Sequence, residues 1–277
     1  MIRAGMRYGA PETTAEAAEA YASEKKAGRS PIYYGGGTEA ATLGRRGKIR
    51  IDTLIDLKKI PDTMVLERRD ACLHVGAGLP LNAVIDSGLF PLFSRVASKI
   101  ADRTVRNRLS VGGNIAGRLP YREAVMPFLL SNASAVIAGE GGVRQEAFPA
   151  WFDRRLLIEP GEFLVKLLVP VPEADLPFYS VRRTGHSAVD YPVLHAAGVR
   201  AQGRLRLSVS GLCSFPFRSP EVEDVLNGSG DVKTRVEKAL GSLPGPVKDD
   251  IRSGREYRMF LFGKALIDVC SNLEAEG

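Results

Sequence analysis

The residues of this chain best placed to do chemistry are two groups of glycines and their polar neighbours. "YYGGGTEA" spans residues 33–40 and "SVGGNIAG" spans 110–117. In the first, Gly35, Gly36 and Gly37 offer bare backbone N–H groups, followed by the Thr38 hydroxyl and the Glu39 carboxyl. In the second, Ser110 and Asn114 flank Gly112 and Gly113. Successive amides without side chains make a concave anion site, and a helix opening there adds its positive end. Phosphate is the usual ligand of such turns, and two of them suit the two phosphates of a dinucleotide. Adjacent glycines cost roughly 0.5–1 kcal/mol each against Ala in regular structure, so something must approach this backbone closely. Either turn alone is also compatible with a tight turn and nothing more. "GGGTEA" satisfies the G-x-G-x-x-A of a Rossmann turn, but the helix after it meets Gly44 too soon for a crossover. The acids Asp52 and Asp56 also have no clear place at a strand end.

No other constellation competes. Cys72, Cys213 and Cys270 are far apart and form no ligand pattern with His74, His186 and His195, which argues against a metal or iron–sulfur site carried by this chain. His186, in "RRTGHSAVD", invites a catalytic role but has no visible partner. G-x-S-x-G, H-E-x-x-H and the P-loop pattern do not occur. Phosphate-type turns without acid–base machinery point to a bound cofactor that carries the chemistry. The net charge of +6 comes mostly from scattered basic pairs, such as Arg45-Arg46 and Lys58-Lys59, with no long basic block. That pattern suits an anionic cofactor or an acidic partner subunit better than nucleic acid. The longest apolar runs fall far short of the roughly 20 residues a membrane span needs, and the first residues have no apolar stretch suited to secretion. The expectation is a cytoplasmic protein.

The elements that would position the turns read as α+β. A helix is expected over 11–28, capped by Thr13 or Thr14 and ended by Gly28. Strands are expected at "SPIYY", "KIRIDTLIDL", "LHVG" and "FLVKLLVPVP", and a short helix at "TEAATL". Further helices are expected at "LPLNAVIDSGLF", "PLFSRVASKI" and "AVMPFLLSN", and a hairpin turning at Gly139, Gly141 and Gly142. Pro170, Pro172 and Pro177 mark a boundary. Beyond it come three strand candidates, "LPFYSVRRTG", "VLHAAGVRAQG" and "RLRLSVSGLCSF", then the helices "SPEVEDVLNG", "DVKTRVEKALGSL" and "EYRMFLFGKALIDVCSNLEA".

Nearly the whole chain resembles the FAD-binding, medium subunit of the molybdenum hydroxylases, the family of bacterial xanthine dehydrogenase and aerobic carbon monoxide dehydrogenase. "YYGGGTEA" is similar to that family's first flavin loop, "LIDLKKIPD" to the segment after it, and "IADRTVRNRLSVGGNI" to the lead into its second flavin loop. "PGEFLVKLLVP" resembles the last strand of the flavin domain. The resemblance implies a two-lobed, vanillyl-alcohol-oxidase-type FAD domain over 1–174, with lobes of about 1–56 and 57–174. A C-terminal domain over 175–277, with a three-stranded antiparallel sheet and helices, would follow. Tyr33, Tyr34, Gly35, Gly36, Gly37, Thr38 and Glu39 would hold one side of the pyrophosphate, and Ser110, Gly112, Gly113 and Asn114 the other. Ile100, Ala101 and Val105 would line the adenosine or ring side, with Phe163 and Leu164 near the isoalloxazine or adenine end. The family often reads Ser-Pro-x-x-Asp after its second loop. Here Leu119 and Glu123 stand at the Ser and Asp positions, which leaves Glu123 as the residue reaching the ribityl chain or ring edge. The implied function is an electron-transfer subunit of a hetero-oligomeric oxidoreductase. FAD would receive electrons from 2Fe-2S clusters on a small subunit, fed by a molybdenum cofactor on a large subunit, and pass them to NAD or another acceptor. The alternatives are a scaffold subunit that has lost FAD and a stand-alone flavin oxidoreductase.

Overall fold

The computed structural model describes residues 2–275; the outer limits of the expected domains, 1 and 277, lie outside them. Three strands run parallel in the order Ile2–Gly9, Ile51–Asp56, Pro31–Tyr34. Five run antiparallel in the order Leu66–Arg69, Cys72–Gly76, Phe163–Pro170, Ser134–Gly139, Gly142–Ala147. The C-terminal sheet has the order Phe178–Thr184, Pro192–Ala201, Arg204–Ser210, Phe217–Arg218. It has four strands rather than the three expected. The extra one is a two-residue strand that pairs Phe217 with Val209, too short to leave a period in the sequence. The strands Ile2–Gly9 and Leu66–Arg69 also escape sequence reading. Both are edge strands with largely exposed residues, so alternation is absent.

The helix Thr14–Lys26 starts where the Thr13 hydroxyl accepts from the N–H of Glu16. Its Ala17 packs with Ile55, Ile60, Phe163 and Val165, joining the parallel sheet to one face of the antiparallel one. The other face of the antiparallel sheet carries Leu73, Val75, Leu167 and Val169. These meet Phe90, Phe93, Phe128 and Phe148 from the helices in the main core. Ala197 and Val199 of the C-terminal sheet reach that same core, while the helix Arg255–Ala275 packs on the C-terminal sheet through Phe262, Leu266 and Val269. No described helix is long and apolar enough to cross a membrane.

Candidate functional site

The first glycine turn closes the parallel strand Pro31–Tyr34 and opens the helix Thr38–Arg45. Gly37 sits at φ +71° as the residue before that helix, a conformation that favours glycine, and supplies no side chain to cap it. Among the described residues, the N–H groups of Thr38, Glu39 and Ala40 have no hydrogen-bond partner. Three amides and the helix dipole therefore point outward together. Asp56, at the end of the neighbouring strand, holds Lys58 at 2.7 Å, and the Lys58 ammonium also donates to the Gly35 carbonyl at 3.1 Å and lies over the Tyr34 ring. Burial pushes the Asp56 carboxyl up. Hydrogen bonds from the Lys58 ammonium and N–H and from the Tyr8 hydroxyl outweigh this and hold it below the usual carboxylate range.

The second turn is built differently. It is itself the short helix Val111–Ala116, with Ser110 as its cap. The N–H of Val111 donates to Leu79, that of Gly112 to Ala77, that of Gly113 to the Ser110 hydroxyl and that of Asn114 to the Ser110 carbonyl. The backbone donors expected here are thus already used. Gly112 is buried, and a methyl on it would come within 2.7 Å of the Ala77 methyl. Its missing side chain serves the packing of this helix on Ala77. Gly113 is exposed.

The two turns meet. The Gly36 N–H approaches the Ser110 hydroxyl at 3.3 Å, and a methyl on Gly36 would overlap the carbonyl oxygen of Arg108. Part of what comes so close to these glycines is the other turn. Between them runs a groove of about 180 Å³, lined by Tyr33 to Ala40 on one side and Leu109, Ser110, Gly113, Ala116 and Gly117 on the other. Glu39 closes one end by accepting from the Arg118 N–H at 2.9 Å. This groove is of a size for a diphosphate unit, so most of a dinucleotide would extend beyond it.

The remaining expected residues divide. Arg106 donates to the carbonyls of Ile100 and Ala101 and to Asn82, which explains the Arg-Asn lead as a brace for this turn. Ala101 adopts φ +48°, Ile100 is buried and Val105 is exposed on the helix Arg103–Arg106. Phe163 and Leu164 do not line the groove: the Phe163 ring packs 4.5 Å from Tyr33, and Leu164 belongs to the main core. Their strand is covered on both faces, so these apolar side chains are used in packing. Tyr33 likewise stacks on Tyr21 and donates to the Gly161 carbonyl, and burial raises its hydroxyl far above the usual range. The Glu123 carboxylate is not open to the groove. It is buried against Arg182 and His195. His186 is exposed, whereas His195, which no local motif marks, is buried in that cluster. Only the pairing of the C-terminal strands brings it there.

Residues 4–172 match the family described as the FAD binding domain in molybdopterin dehydrogenase, and the chain belongs to that family. It is 25% identical to the carbon monoxide dehydrogenase medium chain of Afipia carboxidovorans, over 96% of each chain. It is 23% identical to the nicotinate dehydrogenase FAD-subunit of Eubacterium barkeri, over 88% of this chain and 90% of that one. Its fold is that of a chain in carbon monoxide dehydrogenase from Hydrogenophaga pseudoflava, with a TM-score of 0.87 at 22% identity over 99% of both chains. A chain of quinoline 2-oxidoreductase from Pseudomonas putida 86 aligns with a TM-score of 0.83 at 20% identity, over 98% of this chain and 97% of that one.

The groove fits FAD at the diphosphate. Bare amides, a helix N-terminus, the Ser110 hydroxyl and an exposed glycine face one another where a side chain on Gly35 or Gly113 would intrude.

Proposed function

We propose that this chain is the FAD-carrying electron-transfer subunit of a multi-subunit molybdenum hydroxylase. In this reading it stands between the 2Fe-2S clusters of a small subunit and NAD or another acceptor, with the molybdenum cofactor on a large subunit. The names of its relatives support a subunit role: a medium chain, a FAD-subunit and a subunit alpha of a 6-hydroxypseudooxynicotine dehydrogenase complex. The finer fold reading goes with it: a two-lobed, vanillyl-alcohol-oxidase-type domain whose lobes are about 1–56 and 57–174, followed by the domain 175–277, in a cytoplasmic protein. The groove lies between elements of the two proposed lobes.

The observation that carries this reading is the set of partnerless amides at Thr38, Glu39 and Ala40, facing Ser110 and Gly113 across the groove. Thr38 to Ala40 would bind the diphosphate through N–H groups and the helix dipole, and Ser110 would add a hydroxyl from the other side. Lys58, tied to the Gly35 carbonyl, would hold the turn in its open shape. When bound, FAD would supply a carrier able to take up electrons one at a time and release them singly or as a pair. The protein's part is position and exclusion of water, and no side chain of the chain is asked to act as acid or base.

The test is the visible spectrum of the purified chain after incubation with FAD and desalting. A retained flavin spectrum is expected. Gly113→Val should keep the fold, because a side chain there meets only the movable Ser110 hydroxyl at 2.7 Å, yet lose the flavin. A colourless wild-type chain, or a valine variant that keeps full FAD, would sink the reading; the first outcome would favour a scaffold subunit.

A further inference from the structure

Behind the groove runs the tract 118–124. It touches both of the turns that wall the groove. The Arg118 N–H donates to Glu39, and the Ala124 N–H donates to Asn114 Oδ1 at 3.2 Å. The Asn114 Nδ2 has no hydrogen bond among the described residues. Between those two contacts lies Glu123, whose side chain is 3% exposed. Its Oε1 accepts from Arg182 Nε at 2.8 Å and from His195 Nδ1 at 2.6 Å. The other ring nitrogen of His195 lies 2.9 Å from the Ser180 hydroxyl. Arg182 uses its two remaining nitrogens on the carbonyls of Ala188, at 3.0 Å, and Asp190, at 2.6 Å. One carboxylate thus ties together the tract behind the groove, two strands of the C-terminal sheet and the 185–191 turn.

We propose that Glu123 is a positioning residue for the FAD site, held by Arg182 and His195 of the C-terminal sheet, and that it acts by fixing the Asn114 side chain through the Ala124 N–H. This rests on the FAD reading above. A buried ion pair adds little net stability, because desolvation offsets the attraction. What it supplies is direction. The arginine fork accepts one arrangement of three acceptors, and a buried carboxylate has no alternative partner in water. The C-terminal sheet, which contributes no residue to the groove lining, therefore sets the orientation of the side chain that follows Gly113, a lining residue.

FAD titrated into the full chain, followed by flavin fluorescence, gives the test. Glu123→Gln keeps the volume but removes the charge that orients the fork, and should weaken FAD binding about tenfold, the scale of one lost charge-assisted hydrogen bond. Asn114→Ala should do the same. The double variant should bind within about twofold of Asn114→Ala alone, because both changes break one chain of contacts. Arg218→Gln cuts the Arg218–Glu223 pair elsewhere in the C-terminal sheet and should lower the melting temperature without changing FAD affinity. Should Glu123→Gln fail to fold, Arg182→Lys retains the charge but gives up the fork and should weaken FAD binding in the same way. Multiplying effects in the double variant, wild-type affinity in Glu123→Gln, or an equal loss of affinity in Arg218→Gln would each overturn the positioning role while leaving the FAD reading in place. A wild-type chain that takes up no FAD would overturn both.

Discussion

In the turn at Gly35–Glu39 the following helix starts without a side-chain cap, and the N–H groups of Thr38, Glu39 and Ala40 have no partner among the described residues. In the turn at Ser110–Asn114 every N–H from Val111 to Asn114 is bound within the protein. The two segments have nearly the same composition: glycines, one hydroxyl, one longer polar side chain. The difference is what surrounds them. The second turn lies against Ala77 and Leu79, whose carbonyls face it, so its Gly112 permits helix packing. The first ends a strand at the open edge of the parallel sheet, where nothing covers its amides. Glycine content alone therefore marks close approach of the backbone, not what approaches.

That contrast can be broken in order of expected effect. Gly36→Val places a side chain on the Arg108 carbonyl, backbone against which nothing can swing aside, and should destabilise the chain by about 3 kcal/mol or more in denaturant unfolding. Gly112→Ala crowds the Ala77 methyl at 2.7 Å and should cost about 2 kcal/mol, with FAD affinity following stability rather than falling on its own. A selective loss of FAD in that variant would return Gly112 to the cradle. Ser110→Ala removes both the helix cap on Gly113 and the contact to the Gly36 N–H. About 1 kcal/mol is expected, measured by the same unfolding curves. The smallest effect concerns pH. The Asp56 carboxyl is held below its ordinary value of about 3.9 in the folded state, so its pairing with Lys58 contributes fully above about pH 4 and is lost as pH falls further. Lys58 is 40% exposed, so less than about 1 kcal/mol is at stake. Relative to the intrinsic rate, amide exchange should then quicken in acid at Gly36, whose N–H is hydrogen-bonded, and stay unchanged at 111–114. Equal quickening at both turns would show that they open as one unit.

Much of this was legible in residue order. Thr13 announced its helix, the prolines at 170–177 fell where the antiparallel sheet gives way to the C-terminal one, and the glycines at 139, 141 and 142 fell at the hairpin's closed end. These signals are local: a cap, a fixed φ or a missing Cβ acts within a few residues of itself. The edge strands Ile2–Gly9 and Leu66–Arg69 left no such mark, since a strand exposed on both faces has no reason to alternate. Phe163 and Leu164 are hard to read for the opposite reason. An apolar side chain reads the same whether it lines a ligand or fills a core, and only the tertiary structure shows Phe163 packed in the cluster with Ala17 and Leu164 in the main core.

The sequence by itself determined the two glycine turns, their order and the family pattern around them, because these depend on residue type at fixed spacing. Tertiary structure alone decided which turn keeps its amides free, that Gly112 faces Ala77, and that Glu123 is shared with Arg182 and His195 from 59 and 72 residues away. Hydrogen-bonding groups are indifferent to sequence distance. A backbone N–H or a buried carboxylate takes whatever partner the packed chain brings within about 3 Å, and that choice is made only when the sheets come together.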